Sequence, residues 1–305
     1  MSRAVRSPLG SRCRYDALVL DLDNTIYDWV HFYAGSLRAV LNALSSALEL
    51  HEEELLDQFR EVFASRGSLE YAFIVQELEA TQSMGTDAVE ELIDLAQRTF
   101  AEARRRLLRP YEGVAETLRA ARSADVMVIA VTNAPFFQAH RRLRQLGLVE
   151  HFDALGAWEG FEIPRDPLVR DVHERLERGE YVPQVPAHRA FSKSSLKPRD
   201  HMFRWALHAA SSEPQRVLAV GDSLAKDIAP ALSLGMAGAW SAYGARPSDE
   251  DFELLLKVTP WRQSEIAESY AAPSELDVIP LDRFDDLVEV LEVELGGFER
   301  PTSRA

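Results

Sequence analysis

The chain has 305 residues, 46% of them apolar, which is enough for a buried core in one large domain or two ordinary ones. Its 49 Asp and Glu against 34 Lys and Arg give a net charge of -15, which argues against a nonspecific nucleic-acid binder. Cys13 is the only cysteine, so no internal disulfide can form. No run approaches the roughly 18 apolar residues of a membrane span. We therefore expect a soluble, cytoplasmic protein without nucleic-acid or membrane partners.

The first fifteen residues, MSRAVRSPLGSRCRY, carry four arginines and no continuous apolar stretch. This composition argues against a secretory signal. A loose basic terminus and a transit-type leader are the two interpretations that stay open.

Four short, mostly aliphatic segments bounded by polar or glycine turns predict β-strands: Ala17–Leu20, Val126–Val131, Val217–Val220 and Ala237–Trp240. Helical patterns separate them, which predicts a parallel sheet with helices on both faces. The expected fold class is α/β, with a Rossmann-like, doubly wound parallel sheet as its core. Ligands bind at the carboxyl ends of strands in such folds.

About a hundred residues separate the first two predicted strands, too many for one crossover helix. Apolar residues recur there at helical spacing, including Leu37, Val40, Leu41 and Leu44. We expect a helical cap domain over residues 30–110, inserted into a core domain formed by residues 1–29 and 111–305.

Two further segments allow more than one interpretation. The run Arg104, Arg105 and Arg106 is typical of a solvated helix face, with a phosphate contact as the alternative. Residues 160–195 are rich in proline and charge, which predicts a surface excursion that serves as a lid, a contact surface or a tolerated loop.

Polar residues follow three of the predicted strands. They are Asp21, Asp23 and Thr25 after the first, Thr132 and Asn133 after the second, and Asp222, Ser223 and Asp227 after the third, with Lys197 ahead of the third. Taken singly, the aspartates could be solvated turns or helix caps, Thr132 and Asn133 turn formers, and Lys197 a surface charge.

Taken together, these residues indicate a metal and phosphate site. Carboxylates gathered in a half-buried crevice repel one another and lose hydration, at a cost on the order of several kcal/mol per ion. Mg²⁺, which prefers oxygen ligands and retains waters, compensates such a cluster. Lys197, Thr132 and Asn133 offer donors to phosphate oxygens.

The sequence resembles the haloacid dehalogenase superfamily of hydrolases in four motifs that occur in the right order. Asp21-Leu22-Asp23-Asn24-Thr25 resembles the DxDxT motif, Thr132 the Thr that closes the next strand, Lys197-Pro198 the Lys motif, and Gly221-Asp222-Ser223 through Asp227 the GDSxxxD motif. A helical insert between the first two motifs is similar to the family's C1 cap.

The resemblance implies a role for each motif residue. Asp21 is the nucleophile that forms an aspartyl-phosphate, and Asp23 is the acid and then the base. Thr132, Asn133 and Lys197 bind the phosphoryl group. Asp21, Asp222 and the backbone carbonyl of Asp23 hold Mg²⁺, with Asp227 either as a further ligand or as a support outside the ligand set. If the first strand runs far enough, Asp21 and Asp23 share one side of it.

The expected activity is Mg²⁺-dependent hydrolysis of a small-molecule phosphate ester. The family's dehalogenases lack an acid at the position of Asp23, which disfavours carbon-halogen cleavage; a phosphomutase and a non-catalytic phosphate-binding module are the alternatives. The stretch TNAPFFQAHRRLRQLGL resembles pyrimidine 5'-nucleotidase-like members, which makes a nucleoside monophosphate the first candidate substrate and sugar phosphates the next. Phe136 and Phe137 could stack on a base or belong to the core.

Overall fold

The computed structural model describes residues 13–178, 181, 183–245, 248–259 and 276–293. The two interpretations of the basic N-terminal segment therefore concern residues that lie almost entirely outside this part. Within it, every helix is too short or too polar to cross a bilayer.

A seven-stranded, all-parallel sheet forms the centre of the described structure. Its order is β4-β3-β2-β1-β5-β6-β7. The strands are β1 Ala17–Leu20, β2 Met127–Pro135, β3 Ala154–Trp158, β4 Ala187–Phe191, β5 Val217–Gly221, β6 Ala237–Ser241 and β7 Ile279–Leu281. This confirms the predicted α/β class and the four predicted strands.

Three strands escaped prediction because their sequences lack the expected pattern. β3 reads ALGAW, without a β-branched residue, and β7 is three residues long with a central proline. β4 is an edge strand with four of its five residues exposed.

The sheet is buried on both faces, because successive residues of β1 alternate between two apolar clusters. Leu18 and Leu20 lie in one cluster, and Ala17 and Val19 in the other. A strand that is apolar on both sides is what a parallel sheet between two helical layers requires.

Ten helices accompany the sheet in the described residues, together with several short single turns. They are α1 Trp29–Leu48, α2 Glu52–Arg66, α3 Thr86–Leu107, α4 Val114–Ser123, α5 Phe136–Gln145, α6 Arg170–Glu177, α7 His201–Ala210, α8 Ala229–Ser233, α9 Asp249–Val258 and α10 Leu287–Leu291.

Helices α1 to α3 lie between β1 and β2, where the sequence predicts the insert. The insert is not isolated from the remainder of the chain, because α9 packs against both α1 and α2. At this contact Asp251 of α9 accepts hydrogen bonds from Arg38 and pairs with His31, both of α1. The division into a core and a separate cap domain stays a prediction.

The arginine run at the end of α3 is only partly solvated. Arg105 and Arg106 are exposed as predicted, whereas Arg104 is buried. Its Nε donates to Gln145 Oε1 of α5 at 2.8 Å, and Gln145 donates back to the Arg104 carbonyl. Arg104 thus joins the insert to α5, and the solvated-face prediction is wrong for this residue.

The excursion 160–195 is more than a tolerated loop. It contains α6 and adds β4 to the sheet. Its Phe161 ring lies 5.0 Å from the ring of Tyr71 in the insert and 4.6 Å from that of Trp158 at the end of β3. Lys193 lies 2.8 Å from the position that a Cβ on Gly67 of the insert would take. The excursion thus contacts the insert within the chain, and whether it also serves as a lid or as a contact surface stays a prediction.

Candidate active site

The predicted site residues converge where β1, β2 and β5 end at adjacent positions of the sheet. Lys197 is buried there and donates from Nζ to Asp21 Oδ1 at 2.5 Å, to Asp227 Oδ1 at 2.6 Å and to the Val131 carbonyl at 3.1 Å. The alternative reading of Lys197 as a surface charge is wrong. A single ammonium joins carboxylates from two of the motifs and the backbone of β2, the strand next to β1.

The fourth motif folds into a tight turn directly after β5. Residues Leu224–Ile228 form one π-helical turn, a local widening that is frequent at functional sites. The Ser223 hydroxyl caps this turn by accepting from Lys226 N, and the Ser223 amide donates to Asp227 Oδ2 at 3.0 Å. Since Ser223 caps the turn, the alternative role of Asp222 as a cap is wrong.

Three carboxylates form a cluster that can hold a cation. Ligand oxygens of Asp21, Asp222 and Asp227 lie within 4.8 Å of one another, and all three residues are buried. Lys197 balances one of these three negative charges. Oxygen-only donors and a surplus of negative charge fit Mg²⁺.

Burial and the repulsion between like charges shift the pKa values of this cluster. Burial raises the pKa of Asp222, and the neighbouring Asp227 and Asp21 raise it further. Burial likewise raises the pKa of Asp21, against the opposing effect of Lys197. Burial lowers the pKa of Lys197, but Asp21 and Asp227 outweigh it and keep the ammonium charged. A bound divalent cation would relieve this repulsion.

Asp23 belongs to a different set of contacts. Strand β1 ends at Leu20, and Asn24 takes a left-handed conformation with φ of 58°, so the strand does not run far enough to place both aspartates on one side of it. Asp23 Oδ1 accepts from the Tyr27 hydroxyl at 2.6 Å and from Arg142 Nη1 at 3.0 Å. The two aspartates are separated by one residue in the chain, and the charge of Asp23 adds to the effects that raise the pKa of Asp21.

Thr132 and Asn133 lie within β2 and not in a turn after it. Thr132 is buried, and its Oγ1 accepts from Ala134 N at 3.1 Å. The Asn133 amide bonds both the N–H and the carbonyl of Lys197 at 2.9 Å. Asn133 therefore positions the lysine, and direct phosphate binding by either residue stays a prediction.

The remaining sequence predictions near the site have mixed outcomes. Thr25, which could on its own be a helix cap or a turn residue, lies in the turn before α1, and the first amides of α1 donate to Asn24 and Asp28 instead. Phe136 is partly buried and packs against the core, whereas Phe137 is exposed and its ring contacts Tyr181.

Two residues of the site were missed at the sequence level, Arg142 and Glu70. The Arg142 side chain is buried between Asp23 and Glu70, a residue of the insert. Ala139, Arg142, Leu143 and Leu146 follow the i, i+3, i+4, i+7 spacing, which places Arg142 on the buried face of α5. That spacing was the sequence signal that could have identified Arg142. Glu70 lies in a loop, where no such spacing marks it.

Comparison with solved structures shows the same fold in enzymes of different activity. A 2-haloacid dehalogenase from Pseudomonas syringae pv. Tomato DC3000 aligns with a TM-score of 0.54 and 19% identity over 91% of this chain and 98% of its own. A HAD phosphatase from Thermococcus onnurineus aligns at 0.52 and 20%, over 90% and 97%. A proposed β-phosphoglucomutase from Thermotoga maritima aligns at 0.52 and 16%, over 91% and 98%.

The family follows from the sequence itself. No curated protein sequence matches this chain significantly. The model of the haloacid dehalogenase-like hydrolases matches residues 15–235, a span that contains all four motifs and the insert. The chain therefore belongs to the haloacid dehalogenase-like hydrolase family.

Proposed function

We propose that this hydrolase is a Mg²⁺-dependent phosphatase that cleaves a small phosphate monoester through an aspartyl-phosphate on Asp21. The observation that carries the proposal is the buried cluster of Asp21, Asp222 and Asp227, with a second carboxylate, Asp23, two residues after Asp21. Attack by a carboxylate on an ester whose alcohol leaves poorly needs a proton donor for the departing oxygen, and Asp23 would be that donor.

In the first step a carboxylate oxygen of Asp21 attacks the phosphorus. The bond from phosphorus to the ester oxygen breaks, and Asp23 gives its proton to that oxygen, so that the alcohol leaves. Both hydrogen bonds to Asp23 go to Oδ1, and its side chain is 24% exposed, which leaves Oδ2 for this transfer.

In the second step Asp23, now ionised, takes a proton from water as the water attacks the phosphorus of the aspartyl-phosphate. Inorganic phosphate leaves, and Asp21 is regenerated. Lys197 would offset negative charge on Asp21 and on the transferring group throughout.

A metal ion completes the charge balance. Asp21 and Asp222 would hold Mg²⁺, with the backbone carbonyl of Asp23 as a further ligand that the family resemblance implies. Asp227, whose two oxygens accept from Lys197 and from the Ser223 amide, would be a further ligand or would support the site from outside the ligand set. When bound, Mg²⁺ supplies positive charge against the carboxylates and the phosphoryl oxygens.

We further propose that the insert, residues 30–110, acts as the cap that selects the substrate. Its loop after α2 reaches the neighbourhood of Asp23 through Glu70. A nucleoside monophosphate is the first candidate substrate, and sugar phosphates are the next.

The test is phosphate release from a panel of monoesters, with Mg²⁺ and with excess chelator, combined with mass spectrometry of rapidly quenched enzyme. We expect release only with metal, no phosphoenzyme in Asp21→Asn, and accumulated phosphoenzyme in Asp23→Asn with nitrophenyl phosphate, whose leaving group departs unaided. A phosphate still acquired by Asp21→Asn would refute the covalent mechanism. Transfer of the phosphoryl group to a sugar instead of water would identify a mutase.

A further inference from the structure

Arg142 is a buried cation that links two carboxylates from different parts of the chain. Its side chain is 4% exposed. From α5, Nη1 donates to Asp23 Oδ1 at 3.0 Å, and Nη2 donates to Glu70 Oε1 of the insert. The guanidinium is also held over the ring of Phe32 in α1, 5.2 Å from its centroid. Each terminal nitrogen of the guanidinium thus donates to a carboxylate, one from the Asp23 turn and one from the insert.

Glu70 is buried and held through one of its oxygens, Oε1. Its side chain is 8% exposed, and Oε1 also accepts from Trp29 Nε1 at 2.7 Å. The Trp29 ring stacks on Tyr33, whose hydroxyl donates to the carbonyl of Leu69, next to Glu70. The loop that carries Glu70 is thereby fixed to the first turns of α1.

The charges of this chain of contacts are complementary. Burial acts to lower the pKa of Arg142, but Glu70 and Asp23 raise it above its ordinary value. Burial raises the pKa of Glu70, and Arg142 opposes it. Because a guanidinium keeps its proton in proteins, its contact with Glu70 corresponds to an ion pair, and it can donate to Oδ1 of Asp23 whether or not the other oxygen of that carboxyl carries a proton. The planar fork allows one arginine to meet two carboxylates at once, which a lysine cannot do with fixed geometry.

We propose that Arg142 is a positioning residue that orients Asp23 for proton transfer, and that Glu70 holds Arg142 in place from the insert. Arg142 and Tyr27 both occupy Oδ1 of Asp23, which directs the other oxygen to the reacting group. If Glu70 withdraws with the insert, Arg142 loses one of its two ionic partners and Asp23 its fixed orientation. The inference rests on the phosphatase activity proposed above.

The experiment compares two esters in the parent, Glu70→Gln and Arg142→Lys. One is nitrophenyl phosphate, which leaves without a proton; the other is an alkyl phosphate, which needs one. The measured quantity is kcat/KM, because it covers only the steps up to departure of the alcohol. General acid catalysis is worth about 10² to 10⁴ in rate. We expect the loss of kcat/KM in both variants to be at least about tenfold larger on the alkyl ester than on the nitrophenyl ester.

The matched control is Asp57→Asn. Asp57 also pairs with an arginine of the insert, Arg60, but this pair lies within α2 and both side chains are at least half exposed. The ratio of the control variant's kcat/KM values for the two esters should equal that of the parent. Equal losses on both esters in Glu70→Gln, or no loss, would overturn the positioning role, because a purely structural defect affects both esters alike.

Amide hydrogen exchange decides the proposal without any substrate. In Glu70→Gln we expect faster exchange in peptides that cover residues 21–33 and α5, with β5 unchanged as the internal reference. If the parent hydrolyses neither ester, the proposed function fails, and unchanged exchange in these peptides would overturn the link between Glu70 and the Asp23 turn as well.

Discussion

Gly221 lies so close to Asp227 that a Cβ on this glycine would be 2.5 Å from the Asp227 Cγ. The last residue of β5 must therefore lack a side chain for the carboxylate to reach Lys197 and the Ser223 amide. The GDSxxxD motif of this chain thus requires glycine at this position for a steric reason.

Gly221→Ala should displace Asp227 and with it Lys197. We expect a loss of activity on the order of 100-fold, because displacements near 1 Å have effects of that size at reacting groups. Steady-state kinetics with Mg²⁺ present measure it. Gly85→Ala is the control, since a Cβ there meets nothing within 4 Å. Full activity in Gly221→Ala would show that Asp227 has room to move without consequence.

Asp222→Asn should weaken metal binding by at least about tenfold, because it removes one carboxylate of the buried cluster. The metal-free variant should also unfold at a higher temperature than the metal-free parent, since burial and two neighbouring aspartates oppose the charge on Asp222. Calorimetric titration and thermal unfolding with and without Mg²⁺ measure the two effects.

Asp200→Asn is the control for the metal experiment, because Asp200 pairs with Arg204 at the exposed start of α7. Its metal affinity should match the parent. An unchanged affinity in Asp222→Asn would remove Asp222 from the ligand set.

Much of this site was predictable because many of its functional side chains lie at the ends of strands. The hydrophobic runs of β1 and β5 locate Asp21 and Asp222, and a parallel sheet brings them together. Lys197 is different, since it lies on no strand. Its position depends on Asn133, whose amide bonds its backbone across 64 residues of sequence. The motif identified the lysine, but only tertiary structure explains its placement.

The unpredicted parts depend on partners that no local pattern reveals. Edge strand β4 is exposed and polar, so its hydrogen bonds to β3 define it. Arg104 reads as part of a solvated basic run, yet Gln145 and the neighbouring helix bury it. Burial and then the charge of Arg141 lower its pKa to about 10.

Phe161→Ala should loosen the contact between the excursion and the insert. It removes ring contacts with Tyr71 and Trp158, and aromatic pairs are worth about 0.5–1.5 kcal/mol each beyond their buried area. We expect a lower free energy of unfolding by about 1–3 kcal/mol and a changed ranking of bulky against small esters. Denaturant unfolding and KM values measure both.

Leu176→Ala serves as the control for Phe161→Ala. Leu176 belongs to the same excursion, in α6, but is 42% exposed. It should leave the ranking of esters as it is in the parent. A ranking that also survives Phe161→Ala would show that the excursion supports the fold without influencing the substrate.

His140 should make the protein less stable in mild acid. It is buried on α5, and its Nε2 accepts a hydrogen bond from Gln184 N at 3.0 Å, which a protonated ring cannot do. Burial, then Arg144 and His188, lower its pKa below the ordinary value of 6.5. The unfolded chain therefore binds a proton at a higher pH than the native protein does. The stability from neutral His140 is present above pH 6.5 and is lost as the pH falls through the folded pKa.

His140→Gln keeps an acceptor and removes the titration, so the difference in unfolding free energy between parent and variant isolates this group. We expect the parent to lose stability relative to His140→Gln below pH 6.5, by up to about 1.4 kcal/mol per pH unit, and the difference to level off below the folded pKa. Urea unfolding between pH 5 and 8 measures it. In the control His201→Gln, at an exposed histidine, the unfolding free energy should vary with pH in parallel with that of the parent. Parallel curves for His140→Gln and the parent would mean that the buried imidazole does not contribute to acid sensitivity.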